Sequence, residues 1–222
     1  APAPAPVGLR LRLRLRLRLR LRLLPLSTRP LEQQLGLLLM ELFVPGRVCL
    51  FGEHSDWAGG LRRINSELHR GQAIVVGTSA GLGATVAPHP SDFAVRSVTA
   101  CGEKHELTVA MEAEALLRVA REGGFFSYAA GVAAVAATRH GVGGLAVDLH
   151  TASLPHGKGL SSSAAVCVLV ARAFNRCYEL GLDTQAEMEL AYQGEIATPS
   201  RCGRMDQAVA FGPGAAVQMT FD

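Results

Sequence analysis

Aromatic side chains make up only 5% of the 222 residues, and tryptophan occurs once, as Trp57. That scarcity argues against a binding module built on aromatic anchors. Glycine is plentiful instead, at 24 residues, which suits a loop-rich α/β or α+β enzyme. No apolar run is long enough to span a bilayer, so no membrane association is expected. A disulfide framework is also missing. The five cysteines (Cys49, Cys101, Cys167, Cys177, Cys202) are odd in number, scattered, and form no C-x-x-C pair. They read as reduced thiols of a reducing compartment such as the cytoplasm, packed as small apolar residues. A basic footprint for nucleic acid is absent as well. The net charge is +3, but Arg10, Arg12, Arg14, Arg16, Arg18, Arg20 and Arg22 supply seven positive charges in one tract, and without them the remainder stands at −4. The body of the chain is mildly acidic and is not expected to bind nucleic acid.

Hydrophobic residues make up 49% of the chain and charged ones 18%, enough for one good-sized core. Residues 1–8, which alternate Ala and Pro up to Pro6, cannot nucleate a helix, and residues 9–24 alternate Leu and Arg almost perfectly. A strand of that period would carry one apolar and one cationic face, with no acidic residue before Glu32 to pair with it. Residues 1–41 are therefore read as a low-complexity segment outside the fold. The tract is read as an organelle transit segment, which would relocate the protein from the cytoplasm, or as a translated nucleotide repeat, with a membrane-surface or nucleic-acid arm as the sharper alternative. The absence of an initial Met suggests an incomplete or processed start. Residues 31–41 suit a short lead-in helix.

The folded domain is expected over 42–222. Strand material is read at 42–44, then, after a turn at Pro45-Gly46, at 47–51, and at 73–77, 82–87 and 93–99. Helical spacing covers 111–121 and 127–140, the latter with Ser127 as cap and Gly141 as stop. A strand at 145–149 precedes a loop and an apolar helix at 164–178. Asp183-Thr184 caps a helix to about 196, and a short helix at 205–211 and a strand at 215–221 close the chain. This is not a regular βαβ alternation. It predicts an α+β domain, a mixed sheet with helices on one side.

Chemistry concentrates in a few stretches. The first is Pro155-His156-Gly157-Lys158-Gly159-Leu160-Ser161-Ser162-Ser163-Ala164-Ala165. Glycines let backbone N–H groups approach a ligand, and the first turn of the following helix leaves N–H groups unpaired at its positive end. A phosphate fits there, with serine hydroxyls as further donors. A glycine-rich turn with a serine cap is the plainer alternative. The pattern is not that of the P-loop, because no Ser or Thr follows Lys158. The second stretch runs from Pro45 to Gly60 and holds Glu53, His54 and Asp56 at the end of a strand. Such a set can bind a polyhydroxylated ligand; it is too compact for a usual metal site, and Asp56 alone would serve to cap a turn. The third runs from Glu195 to Gln207, where a loop joins the end of one helix to the start of the next.

Together the stretches P-G-R-V-C-L-F-G-E-H-S-D-W-A-G-G, P-H-G-K-G-L-S-S-S-A-A and C-G-R-M-D-Q resemble, in order and rough spacing, the N-terminal signatures of the GHMP kinase superfamily. That group includes galactokinase, homoserine kinase, mevalonate kinase and phosphomevalonate kinase. The resemblance covers about residues 42–222. It implies the ribosomal-protein-S5-like α+β fold and an ATP- and Mg2+-dependent kinase acting on a small molecule. On the matching residues, it implies that Pro155, Gly157, Lys158, Gly159, Leu160, Ser161, Ser162, Ser163 and Ala164 bind ATP. Lys158 is either a further positive contact or a solvent-facing side chain. Ser163 and Glu195 would hold Mg2+, Asp206 would accept the proton of the attacking hydroxyl, and Arg47 would neutralise charge beside it. Glu53, His54 and Asp56 would hold sugar hydroxyls. Asp56 and Cys-Gly-x-Met-Asp-Gln match galactokinase-like enzymes, which phosphorylate the anomeric hydroxyl. Mevalonate kinases lack the Asp, and remain the alternative. Trp57, where galactokinases usually have Tyr, and residues 61–70 depart from the pattern. The Gly-rich signature of the family's C-terminal domain does not follow Asp206, so the chain is expected to represent an N-terminal half or a non-catalytic relative.

Overall fold

The computed structural model describes residues 39–99, 102–154, 159–200 and 202–222. The readings of the Ala/Pro and Leu/Arg tracts, and most of the lead-in helix, lie outside these residues. Met40 and Glu41, assigned to that helix, instead open strand β1 (Met40–Phe51), where they pair with Val86 and Thr85. The expected turn at Pro45-Gly46 is also not formed. The strand runs on through a bulge that pairs Pro45 with Gly81 and Arg47 with Gly77. Pro45 is tolerated because β1 lies at the sheet edge and the ladder is already interrupted there.

β2 (Gly71–His89) is the spine of the sheet. It is one 19-residue strand where two were expected, because Gly77 and Gly81 look like a break in sequence. Their role is close approach. A Cβ on Gly77 would lie 2.1 Å from the Gly212 carbonyl oxygen, and one on Gly81 would lie 2.4 Å from the Phe43 ring. β3 (Asp92–Val98), β4 (Lys104–Ala110), β5 (Gly144–Ala152) and β6 (Ala216–Phe221) complete the six-stranded sheet, in the order β1-β2-β5-β3-β4. β6 pairs with the first half of β2, on residues 71–76, and β5 with the second half, on 82–89. Only β3 and β5 run parallel among the described ladders, which makes the sheet mixed.

The helices are α1 (Ala58–Arg62), α2 (Ala113–Glu122), α3 (Ser127–His140), α4 (Ser162–Tyr178) and α5 (Thr184–Ile196). Short 3-10 turns cover Ser55–Trp57 and Asp206–Phe211. Strand residues Val44, Val86, Phe93 and Val147 meet Leu116, Val132, Leu169 and Phe174 of the helices in one core. Paired polar side chains cover other strand positions, with Arg96 bonded to Asp148 at 2.6 Å and His150 to Glu41 at 2.9 Å. α3 ends where expected, at the left-handed Gly141, but Ser127 is its buried first residue and Phe126 occupies the cap position. Asp183 caps α5 as expected, accepting from the Ala186 N–H at 2.8 Å. α3 and α5 touch through glycines, since a Cβ on Gly131 would lie 2.2 Å from the Gly194 carbonyl oxygen. That close contact seats the end of α5, and with it Glu195, against the start of α4. A smaller cluster of Ala73, Val75, Met205, Ala208 and Phe221 anchors the turn that begins at Asp206.

Candidate active site

Arg47 lies at the centre of the site, with a side chain only 7% exposed. Its Nε donates to Asp206 Oδ1 at 3.2 Å, and Nη2 donates to the same oxygen. Nη1 reaches the Gly159 carbonyl at 3.3 Å, and Nη2 reaches Glu53 Oε1 at 3.4 Å. One guanidinium thus joins residues that are up to 159 positions apart. Burial works against its charge, but the hydrogen bond and charge of Asp206 more than offset this, and the Arg47 pKa is raised. Both bonds fall on Oδ1 of Asp206, and no hydrogen bond to Oδ2 occurs among the described residues.

The loop before α4 is held against β1. The Arg47 N–H donates to the Leu160 carbonyl at 3.3 Å. Gly46 makes room, because a Cβ there would lie 2.8 Å from the same oxygen. Ser161 adopts a left-handed conformation, φ 56°, uncommon for a residue with a side chain. It is 9% exposed, and its Oγ has no hydrogen-bond partner among the described residues. Ser162, Ser163 and Ala164 form the first turn of α4, which starts two residues earlier than expected. Their N–H groups belong to the unpaired set that every helix presents at its positive end. Pro155, His156, Gly157 and Lys158 lie outside the described residues.

Glu195 is 1% exposed at the end of α5. Its carboxylate takes a hydrogen bond from Gln207 Nε2 to Oε2 at 2.8 Å, and the Ser163 and Cys202 side chains lie near enough to favour its charge. Burial pushes its pKa above the ordinary 4.5, the Asp206 charge adds to that, and the nearby Ser163, Gln207 and Cys202 side chains work the other way. The expected pair of Ser163 and Glu195 is therefore brought together. Burial and the Glu195 charge push the Cys202 thiol up to about 12, so it stays protonated. Cys49, Cys167, Cys177 and Cys202 are free thiols.

Glu53 is half exposed beside Arg47, and His54 is exposed in a left-handed conformation, φ 64°. The loop can turn so tightly because Gly52 packs on β2, where a Cβ would lie 1.9 Å from the Gln72 carbonyl oxygen. Asp56 is engaged differently from Glu53. Its Oδ2 accepts from the Met205 N–H at 3.2 Å and so ties this loop to the turn that carries Asp206. Gly203 leaves space for it, since a Cβ would lie 1.7 Å from that oxygen. Gly203 and Gln207 received no role from sequence reasoning. Their contacts cross long sequence separations, and only their presence in the C-G-R-M-D-Q stretch pointed to them. Among the described residues no group of three or more His, Cys, Asp or Glu gathers as a metal site, and no helix is long and apolar enough to cross a membrane.

The family described as the GHMP kinases N terminal domain matches residues 127–214. A galactokinase from Streptomyces coelicolor is 32% identical over 169 residues, covering 75% of this chain and 39% of that protein. A galactokinase from Pyrococcus furiosus is 30% identical over 173 residues, covering 76% and 43%. The chain thus spans about two fifths of the length of the curated relatives it matches. The solved mevalonate kinase of Methanococcus jannaschii shares the fold, with a TM-score of 0.63 over 81% of this chain and 53% of that one, at 16% identity.

Proposed function

We propose that the chain, which matches the GHMP kinases N terminal domain over residues 127–214 and is similar to galactokinases, is the ATP-binding part of a kinase that phosphorylates the anomeric hydroxyl of a sugar. The observation that carries this reading is the set of Arg47 contacts to Asp206, Glu53 and the Gly159 carbonyl, which draws the phosphate loop, the proton acceptor and the substrate loop to one point. Phosphoryl transfer needs those parts: a phosphate cradle, charge neutralisation and an oriented nucleophile.

The residues present fit ATP and a magnesium ion. The unpartnered Ser161 hydroxyl and the first turn of α4 offer donors to phosphate oxygens. Magnesium keeps several waters and takes one or two protein oxygens together with phosphates, so a larger ligand cluster is not required. Ser163 and Glu195 would hold it, and it would supply positive charge to neutralise the phosphates. Asp206 accepts the proton of the attacking hydroxyl. That oxygen bonds to the γ-phosphorus, the bond from this phosphorus to the bridging oxygen breaks, and ADP leaves. Arg47 holds Asp206 in place and offsets negative charge. Glu53 and His54 face solvent beside this point, where they meet the hydroxyls of the sugar. Galactose is the first sugar to try, because the relatives from Streptomyces and Pyrococcus are galactokinases. A panel of hexoses and mevalonate, with ATP consumption and phosphorus NMR of the product, tests the reading. A sugar 1-phosphate is the expected product; turnover with mevalonate alone would overturn the choice of substrate.

A further inference from the structure

We infer that Gln207 is a positioning residue for Glu195, setting the orientation of the carboxylate that holds the cation; this rests on the kinase reading above. Gln207 is 1% exposed. Its Nε2 donates to Glu195 Oε2 at 2.8 Å, while its own Oε1 is buried with no hydrogen-bond partner among the described residues. A buried carbonyl left unpaired opposes folding. A residue serving stability alone at this place would be apolar, like its neighbours Met205 and Ala208 in the small cluster. What the glutamine contributes is therefore its N–H, and that N–H goes to Glu195.

The geometry couples two functions through adjacent residues. Asp206 and Gln207 open the same 3-10 turn. Asp206 turns to Arg47, and Gln207 turns to Glu195. Ser163 at the start of α4 lies near the same carboxylate. The Glu195 carboxylate is thus held by Gln207, and its place relative to Asp206 follows from one short turn. A buried carboxylate without the Gln207 donor would lose a fixed orientation and part of the stabilisation of its charged form.

The test uses the full chain, with Mn2+ in place of Mg2+ and ADP as the nucleotide. Gln207→Met keeps the length of the side chain and removes the amide. Free Mn2+ is followed by electron paramagnetic resonance. The expected result is retention of Mn2+ by the wild type with ADP, and an affinity weaker by about ten-fold or more in Gln207→Met. ADP binding without metal should match the wild type. If Gln207→Met unfolds more readily but holds Mn2+ as tightly as the wild type, the role is structural and the inference is overturned. Gln207→Asn keeps the amide but withdraws it, and serves if the Met variant does not fold. Loss of Mn2+ affinity in that variant supports the inference, and unchanged affinity refutes it. A wild type that holds no Mn2+ with ADP would instead remove the kinase reading, and the inference with it.

Discussion

Glu195 and Glu53 are carboxylates of the same site, yet one is 1% exposed at the end of a helix and the other has a side chain 48% exposed in a loop. Around Glu195 the scaffold is dense. α3, α4 and α5 pack through alanines and facing glycines, and Ser163, Gln207 and Cys202 all reach its carboxylate. Around Glu53 the scaffold is a turn held by Gly52, Arg47 and the Asp56 bond to Met205. On the proposed kinase reading, the difference follows the chemistry asked of each side. Phosphate and a cation present the same charges in every reaction, so a rigid, preorganised cradle serves them. Substrates differ in shape, and a solvent-facing loop can be altered without disturbing the core. Arg47 bonds to Gly159 of the loop before α4 as well as to Glu53.

Breaking that link should have the largest effect on stability. Arg47→Met removes a buried partner of Asp206 and should cost about 3 kcal/mol, the low end for a buried pair because Asp206 keeps some contact with water. Chemical denaturation measures it, and turnover should be lost as well. If stability changes by less than about 1 kcal/mol, the pair behaves as a surface one.

Gly203→Ala should act more narrowly. The atom in the way of its Cβ is the end of the Asp56 side chain, so Asp56 leaves the Met205 N–H rather than the backbone moving. The expected loss is about 1 kcal/mol, one hydrogen bond. The Michaelis constant for sugar should rise while that for ATP stays put; equal changes in both would mean that the two sides are not separable.

Glu195→Gln probes the rigid side by pH. Burial raises the folded-state pKa of Glu195 above the ordinary 4.5. A group raised in the folded state favours folding most below its unfolded pKa, and that advantage fades as pH rises through the folded value. The neutral amide escapes this loss. Glu195→Gln should therefore unfold at a higher temperature than the wild type at neutral pH, with the gap closing as pH falls toward 4.5. A gap independent of pH would contradict the burial argument. His54→Ala marks the opposite extreme. His54 is exposed, so stability should stay within about 0.5 kcal/mol while sugar affinity falls.

The same contrast explains what the amino-acid sequence disclosed. The dense side was easy to read. The apolar run of α4, the Asp183 cap of α5 and the Gly141 stop of α3 are local signals, and they appear in the structure at or within two residues of their expected places. The strands were harder. β4 was not recognised, because KHELTVA alternates between exposed and half-buried residues at the sheet edge and lacks a fully buried face. Gly77 and Gly81 looked like a break and are instead places where other chain segments lie against β2. In the site, the sequence singled out Arg47, Glu195 and Asp206, and the structure brings Arg47 to Asp206. The Asp56 bond to Met205 and the Gln207 bond to Glu195 were not legible, because tertiary packing decides which partner a side chain finds.

The most direct test of the central claim is turnover by Asp206→Asn, measured as ATP consumption with the accepted sugar alongside ATP binding by calorimetry. The change keeps the shape of the side chain and removes the proton acceptor. Turnover should fall by about 100-fold or more while ATP binding is kept. Turnover at the wild-type rate in Asp206→Asn would contradict the account.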